Sequence, residues 1–348
     1  MDKVYRIGIV GCGGMGRNHA AAWSAISGVK LVAVADVDEG SAQKVSDEFS
    51  APTVFTDYKK MFENEELDIV SIPTWQGARA EITIAAAEAG IKGIIGEKPM
   101  AASLGEADDM LDACEKSGAK LAIGHNRRFR ASQTEIRRLV AGGAIGQPTI
   151  LYDRQAGGLL NKGTHSVDTW RYYLSDPEAL WVIGQTSRTT DRWERRSQSE
   201  DLCFGLVCFD GGVRGLYEGD LPEPGSSMDM IHGTEGRIKP GAGGTILLQR
   251  DSSSGWQEIK PPPDEKSQYQ ELIDWIEGRI AEHRSSGRQA RHTIEITMAI
   301  YESARTRDVV TMPLQTRESP LEMMIADGSL PVLTPGRYDI RTPFPEQK

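Results

Sequence analysis

The 348-residue chain is poor in cysteine and histidine and has no long apolar run, and each shortage closes off a class of function. Its four cysteines, Cys12, Cys114, Cys203 and Cys208, fit no metal-ligand spacing and no disulfide framework. They read as small core or loop residues in a reducing compartment. The six histidines are scattered and offer no metal cluster. No apolar stretch approaches the roughly 18 residues needed to cross a bilayer. A strand begins at once in "VYRIGIVG", which leaves no room for a signal peptide, so a cytoplasmic protein is expected. An excess of positive charge is missing too: the net charge is −10 and the pI about 5.3, which argues against nucleic acid or an anionic membrane as partner. The basic runs "NRRFR" (126–130) and "RWERR" (192–196) are short and read as solvated or ion-paired patches.

What is present is an ordinary globular composition, 39% hydrophobic and 26% charged, with 37 glycines. The length exceeds a single hydrophobic core, so two domains are expected. Over residues 1–125 short apolar runs alternate with amphipathic stretches: "YRIGIVG", "VKLVAVAD", "LDIVSIPT", "KGIIGEKP" and "AKLAIGHN" are strand-like. This pattern predicts an α/β domain, a doubly wound parallel sheet with right-handed crossovers. Over 126–348 the pattern changes to a strand at 147–156, a helix at 159–174, a strand at 178–190 and a hairpin turning at Asp210-Gly211-Gly212. Further strands and two long amphipathic helices follow, an α+β domain with an open, mostly antiparallel mixed sheet. The Pro-rich polar tail after "VVTMPL" is expected to wrap the surface.

Within "GIVGCGGMG" the residues Gly11, Gly13 and Gly16 form G-x-G-x-x-G after a strand, with a helix beginning near Met15 and Asp36 ending the next strand. That context makes it the dinucleotide-binding fingerprint of a Rossmann domain. The glycines permit a tight turn and close approach of backbone to a pyrophosphate, and the helix start presents N–H groups to it. Asp36 would accept hydrogen bonds from ribose hydroxyls and repel a 2′-phosphate, which favours NAD over NADP. Pro73, Thr74 and Trp75, in the turn after "LDIVSIPT", are expected along the cofactor crevice. So are Glu97 and Lys98 of "GEKPM", at the carboxyl end of a strand-like run where ligands of such sheets bind.

A second polar cluster lies in "GLLNKGTHSVDTW" (158–170). In a regular helix Asn161, His165 and Asp168 share one face, and Gly163 leaves the backbone open to a substrate or nicotinamide. The cluster reads as half of an active site whose other half lies elsewhere in the chain. Imidazole titrates near neutrality and can take a hydroxyl proton. A fixed ammonium such as Lys98 stabilises developing alkoxide charge. Asp168 either orients His165 or ties down neighbouring structure. Asn126, beside His125, could touch nicotinamide or substrate, whereas His19 reads as structural and His232, His283 and His292 as surface or core residues.

Taken together, "GIVGCGGMGRNH", "VAVADVD", "GEKPMAASLGEADDML", "GHNRRF", "GTHSVD" and "HGTEGR" resemble the glucose–fructose oxidoreductase, inositol dehydrogenase and rhizopine catabolism (Gfo/Idh/MocA) family over residues 5 to about 313. The resemblance implies an NAD-dependent dehydrogenase that oxidises a secondary hydroxyl of a cyclic polyol or sugar, an inositol, aldose or anhydrosugar. It implies contact of Lys98 with the reacting hydroxyl, His165 as acid/base, Asn126 and Asn161 beside the substrate, and a homodimer or homotetramer built through the C-terminal sheet. Two departures stand out: Asn161 where relatives often carry Asp, and Gly77 where a His is common. A glycosidase that uses NAD transiently and a non-catalytic sugar-binding regulator are the alternatives; the presence of both Lys98 and His165 speaks against the second.

Overall fold

The computed structural model describes residues 3–219, 229–263 and 266–340. Its chain divides into two compact units, residues 1–124 with 266–290 and residues 125–265 with 291–348. A division at 125/126 therefore misses one return crossing. The reason is local: the helix Gln268–Ile276 carries Tyr269, Leu272 and Ile273 into the hydrophobic cluster of the first unit, against Trp23, Ile69 and Ile95.

In the first unit the strands are β1 (Tyr5–Val10), β2 (Val29–Ala35), β3 (Thr53–Phe55), β4 (Ile69–Ile72), β5 (Gly93–Gly96) and β6 (Lys120–Ile123), in the order β3-β2-β1-β4-β5-β6. All are parallel. β1, β4 and β5 are almost wholly buried, as expected for near-continuous apolar strands covered on both faces. The strand order reverses between β1 and β4, the switch point beside which ligands of this architecture bind. β3 has only three half-buried residues and lacks an apolar run to announce it.

In the second unit, a sheet is formed by β7 (Pro148–Gln155), β8 (Ala179–Ser187), β11 (Leu202–Phe209), β12 (Arg214–Gly219), β13 (Met230–Gly233), β14 (Gly236–Pro240), β15 (Ile246–Arg250), β16 (Gln257–Ile259) and β17 (Val310–Thr311). Their order is β16-β15-β14-β13-β7-β12-β11-β8-β17, and only the β7–β12 pair is parallel. The hairpin β11–β12 turns at Asp210–Gly212 as the sequence predicts; Asp220 and Leu221 beyond it, and the tail from 341 to 348, lie outside the described residues.

One face of this sheet lies under helices. A Cβ on Gly184 would come within 2.1 Å of the Ile300 carbonyl oxygen, and one on Gly215 within 2.5 Å of the Trp170 ring. Glycine at these two places lets the helices Gly287–Thr306 and Thr164–Tyr173 approach the strands. The polar tail does more than wrap the surface. It forms the helix Pro320–Ala326 and strand β18 (Thr334–Asp339), which pairs in parallel with β9 (Thr190–Glu194), itself joined to β10 (Ser197–Gln198). The Asp339 carboxylate accepts from the backbone N–H groups of Arg195 and Arg196, and Arg337 stacks 3.7 Å over Trp193. Part of the basic run 192–196 is thus internal scaffolding. Among the described residues no helix is long and apolar enough to cross a membrane.

Candidate active site

The first unit gathers its candidate residues at the carboxyl ends of β1, β2, β4 and β5. Gly11 takes φ +101°, and a Cβ there would meet Thr74 and Pro73 at 3.1 and 3.3 Å, so the glycine turn packs on the turn after β4. A Cβ on Gly16 would lie 2.0 Å from the Gly11 carbonyl oxygen, which excludes any side chain. Around Gly13 and Gly14, by contrast, there is open space. The helix Gly14–Ser24 has no side-chain cap and no acidic residue in its first turn, and Met15 is partly exposed there. Uncapped N–H groups beside open space fit a pyrophosphate.

Asp36 is half-buried and accepts from Cys12 N at 2.6 Å and from Asp38 N at 2.9 Å. These bonds tie it to the glycine turn and leave lone pairs for ribose hydroxyls. Val37 beside it is 94% exposed and brings no cation to a 2′-phosphate. Trp75 is 41% exposed at the start of the helix Gln76–Glu88.

Glu97 and Lys98 follow β5. The Glu97 carboxylate meets His19 Nε2 at 3.2 Å, and His19 Nδ1 meets Ser71 Oγ at 3.2 Å, with Trp23 Nε1 donating to the same hydroxyl at 2.7 Å. Burial raises the Glu97 pKa, but the bond to His19 and the charges of His19, Arg79 and Lys98 outweigh it and hold the carboxyl below its usual range. Glu97 therefore carries a negative charge beneath Lys98, whose side chain is half-buried. His19 is structural, as the sequence suggests.

Arg79 was not legible as a site residue. It is 2% exposed, and its guanidinium donates to the carbonyls of Thr74 and Pro99, joining the turn after β4 to the turn that carries Lys98. Its one sequence signal is an arginine within the otherwise small and apolar helix "ARAEITIAAAEAG".

The second unit carries the remaining candidates. Residues 159–174 are not one regular helix: Leu159–Gly163 is a wide π turn, followed by the α-helix Thr164–Tyr173. The shared face expected for Asn161, His165 and Asp168 is broken by this turn. Asn161 is buried and donates from Nδ2 to Glu194 Oε1 at 2.5 Å, while Glu194 Oε2 accepts from Gly158 N at 2.8 Å. Glu200 accepts from Leu159 N at 2.6 Å and from the Tyr301 hydroxyl at 2.7 Å. Two buried carboxylates thus satisfy the free N–H groups at the start of the segment. Gly163 is closed to ligands: a Cβ there would meet Leu159 at 2.5 Å and the Tyr217 ring at 2.8 Å.

Asp168 does not serve as the partner of a charged His165. Arg128 Nε donates to both its oxygens at 3.0 and 2.9 Å, and Thr293 Oγ1 donates at 3.3 Å. Arg128 also pairs with Asp176 at 2.8 Å, which Arg137 holds from the other side at 2.9 Å. Burial lowers the Arg128 pKa, but the two carboxylates outweigh it and the group stays charged. His125 lies inside this frame, 1% exposed, with Nδ1 3.5 Å from Asp168. Its ring stands edge-on to the half-buried His165 ring, centroids 6.4 Å apart. Asn126 begins the short 3₁₀ turn Asn126–Phe129 and is exposed. Among the described residues no group of three or more His, Cys, Asp or Glu could hold a metal ion.

Comparison with known proteins agrees with the fold. Residues 5–125 match the family model described as an oxidoreductase family with an NAD-binding Rossmann fold, and residues 133–239 match the GFO/IDH/MocA C-terminal domain. The chain is 24% identical to a D-apiose dehydrogenase of Paraburkholderia graminis, covering 94% of this chain and 95% of that one. It is 30% identical to the uncharacterized oxidoreductase YrbE of Bacillus subtilis, over 69% of this chain and 72% of that one. An NAD binding oxidoreductase from Klebsiella pneumoniae superposes with a TM-score of 0.75 at 19% identity, covering 90% of this chain and all 100% of that one, and so shares the fold. The chain belongs to the GFO/IDH/MocA family of NAD-binding oxidoreductases, whose relatives include sugar and inositol dehydrogenases.

Proposed function

We propose that this enzyme oxidises a secondary hydroxyl of a cyclic polyol or sugar, with NAD preferred over NADP. The observation that carries the reading is the assembly at the switch point of the first sheet: an uncapped helix start beside open space, Asp36 bonded to the glycine turn, and Lys98 held between Glu97 and the Arg79-pinned Pro99. NAD, when bound, supplies the hydride acceptor. Gly11, Gly13, Met15 and Gly16 would hold its pyrophosphate, Asp36 its ribose, and Pro73, Thr74, Trp75, Glu97, Lys98 and Asn126 would line its path.

Lys98 has the role of polarising the substrate oxygen, its ammonium charge offsetting the negative charge that grows as the hydroxyl proton leaves. His165 has the role of taking that proton, since a neutral imidazole does so near pH 7. Its two neighbours limit the other candidates. Asp168 is already matched by Arg128, and Asn161 is engaged by Glu194, so neither supplies the proton acceptor. An amide at 161 cannot accept a proton in any case.

The test is a panel of inositols, aldoses and anhydrosugars, together with their carboxylate and phosphate derivatives, assayed with NAD and NADP by nicotinamide absorbance. NADH should form with at least one neutral or acidic polyol. His165→Ala should lower kcat/KM about a hundredfold or more, and Lys98→Met should do so comparably. Full activity in either variant rejects that residue's role. The relatives' dehydrogenase names support a polyhydroxylated small molecule as substrate, and the exposed apolar side chains Ile183 of β8 and Leu202 and Phe204 of β11 support a homo-oligomer.

A further inference from the structure

The second unit contains a cavity of about 280 Å³ lined by Arg127, Arg130, Gln133, Gln155, Asp229 and Lys239. It is small for a ligand site, with room for a charged head group and a few carbons. Two of its cations come from the "NRRFR" run, whose middle arginine, Arg128, is spent on Asp168 and Asp176. Arg127 and Arg130 face each other's charge: burial and the Arg127 guanidinium both lower the Arg130 pKa. Lys239 adds a third cation from β14.

The acids near the cavity do not cancel this charge. Asp153 is 1% exposed and its carboxylate takes Gln155 Nε2 at 2.9 and 3.0 Å. Asp229 Oδ2 accepts from the Tyr173 hydroxyl at 3.3 Å, and its Oδ1 is shut off from solvent with no hydrogen-bond partner among the described residues. Burial and the charge of Asp153 push the Asp229 pKa up to about 7. The Arg127 charge lowers the pKa of both Asp153 and Asp229, so Arg127 faces these two acids, and Arg130 and Lys239 remain as the cations toward the cavity. A protonated Asp229 is also a hydrogen-bond donor. Gln133 is buried, and its oxygen accepts from Ser132 Oγ at 2.8 Å, which leaves its N–H donors. The donor set is cationic and amide N–H, the chemistry that holds an oxyanion.

The cavity is linked to the acid/base candidate along the chain. Arg127 and Arg130 lie two and five residues beyond His125, whose ring stands edge-on to that of His165 with centroids 6.4 Å apart. We infer that this cavity receives an oxyanion carried by the substrate, so that the substrate is an acidic sugar or polyol, a carboxylate or a phosphate, and not a neutral one. The inference rests on the dehydrogenase reading above for the rest of the substrate.

Calorimetric titration of the full-length protein with NADH bound tests it, using glucuronate, glucose 6-phosphate and glucose as probes. At least one acidic probe should bind tenfold or more tightly than glucose, and which one does separates carboxylate from phosphate. Arg130→Gln and Lys239→Gln should each remove most of that preference while NADH fluorescence titrations remain as in the unaltered protein. No preference for either acid, or a preference that persists in both variants, overturns the inference. The two readings fail separately. Acid binding without NAD reduction by any probe removes the dehydrogenase reading and leaves the cavity. Equal kcat/KM for glucose and both acids removes the cavity's role and leaves the dehydrogenase.

Discussion

At the scale of single residues, the second unit uses charge to fix geometry. Asp168 and Arg128 are both about 1% exposed, and a guanidinium at that depth needs its carboxylates to remain charged. Removing one partner of a buried pair costs about 3–5 kcal/mol, because the other is left uncompensated. Asp176 remains as a second partner for Arg128, so the lower end applies. Asp168→Ala should therefore lose about 3 kcal/mol of unfolding free energy in urea titration. It should also free the His125 ring, whose Nδ1 lies 3.5 Å from the lost carboxylate. A loss below about 1 kcal/mol, the value of a surface ion pair, would show that water reaches Arg128. The motif "GTHSVD" makes Asp168 visible in sequence, but its partner does not follow from spacing. Arg128 lies 40 residues earlier, and only the packing of the 126–129 turn on the helix Thr164–Tyr173 joins them. Glu194 and Glu200 were hidden for the same reason: their bonds to Gly158, Asn161 and Leu159 span 33 to 41 residues.

At the scale of elements, apolar periodicity carried the reading where strands are buried and failed where they are not. β1, β2, β4 and β5 announce themselves because both faces are covered. β3 is short and half-buried, and β18 is almost fully exposed, so neither has a pattern to detect. The π turn at Leu159–Gly163 escaped because it depends on carboxylates supplied by a distant hairpin. The glycine fingerprint, by contrast, is local: the clash of a Cβ at Gly16 with Gly11 is set within six residues of chain. Arg79 belongs between these cases, since it acts by joining two turns. Both of its carbonyl acceptors flank candidate residues, Thr74 next to Trp75 and Pro99 next to Lys98. A displacement of about 1 Å at a reacting group costs up to a hundredfold in rate. Arg79→Met should thus lower kcat between about ten- and a hundredfold, measured well below the variant's own melting temperature, and Arg79→Lys should recover part of it. Unchanged kcat in Arg79→Met would mean that the two turns hold their positions without the guanidinium.

At the scale of the whole molecule, the nine-stranded sheet carries exposed apolar side chains, among the described residues, on the face turned away from Ile300 and Trp170. Gly184, Gly205 and Gly215 point toward Ile300 and Trp170, so their neighbours along the strands point the other way. Those neighbours are Ile183, Phe204, Leu206 and Leu216, with Tyr152 of β7 beside Leu216 in the register. Ile183 is 38% and Phe204 39% exposed, and Leu202 at the end of the row is 50% exposed. Single exposed apolar residues are ordinary, but a contiguous row across three strands marks a docking face. Its rim is polar, with Gln185 opposite Phe204 and Arg154 paired to Glu218 at 3.2 Å. A sheet face of this kind is self-complementary when two copies meet about a two-fold axis, and a stable interface needs about 800 Å² from each. The expected assembly is accordingly a dimer, or a tetramer built from it, formed face to face through β7, β8, β11 and β12. Phe204→Asp places a charge at the middle of that row without touching the covered face. Sedimentation velocity should find the unaltered chain as an oligomer and Phe204→Asp largely as a monomer, with the far-ultraviolet circular dichroism of both alike. A monomeric unaltered chain at micromolar concentration, or an oligomer indifferent to Phe204→Asp, would assign this row of side chains to some other partner.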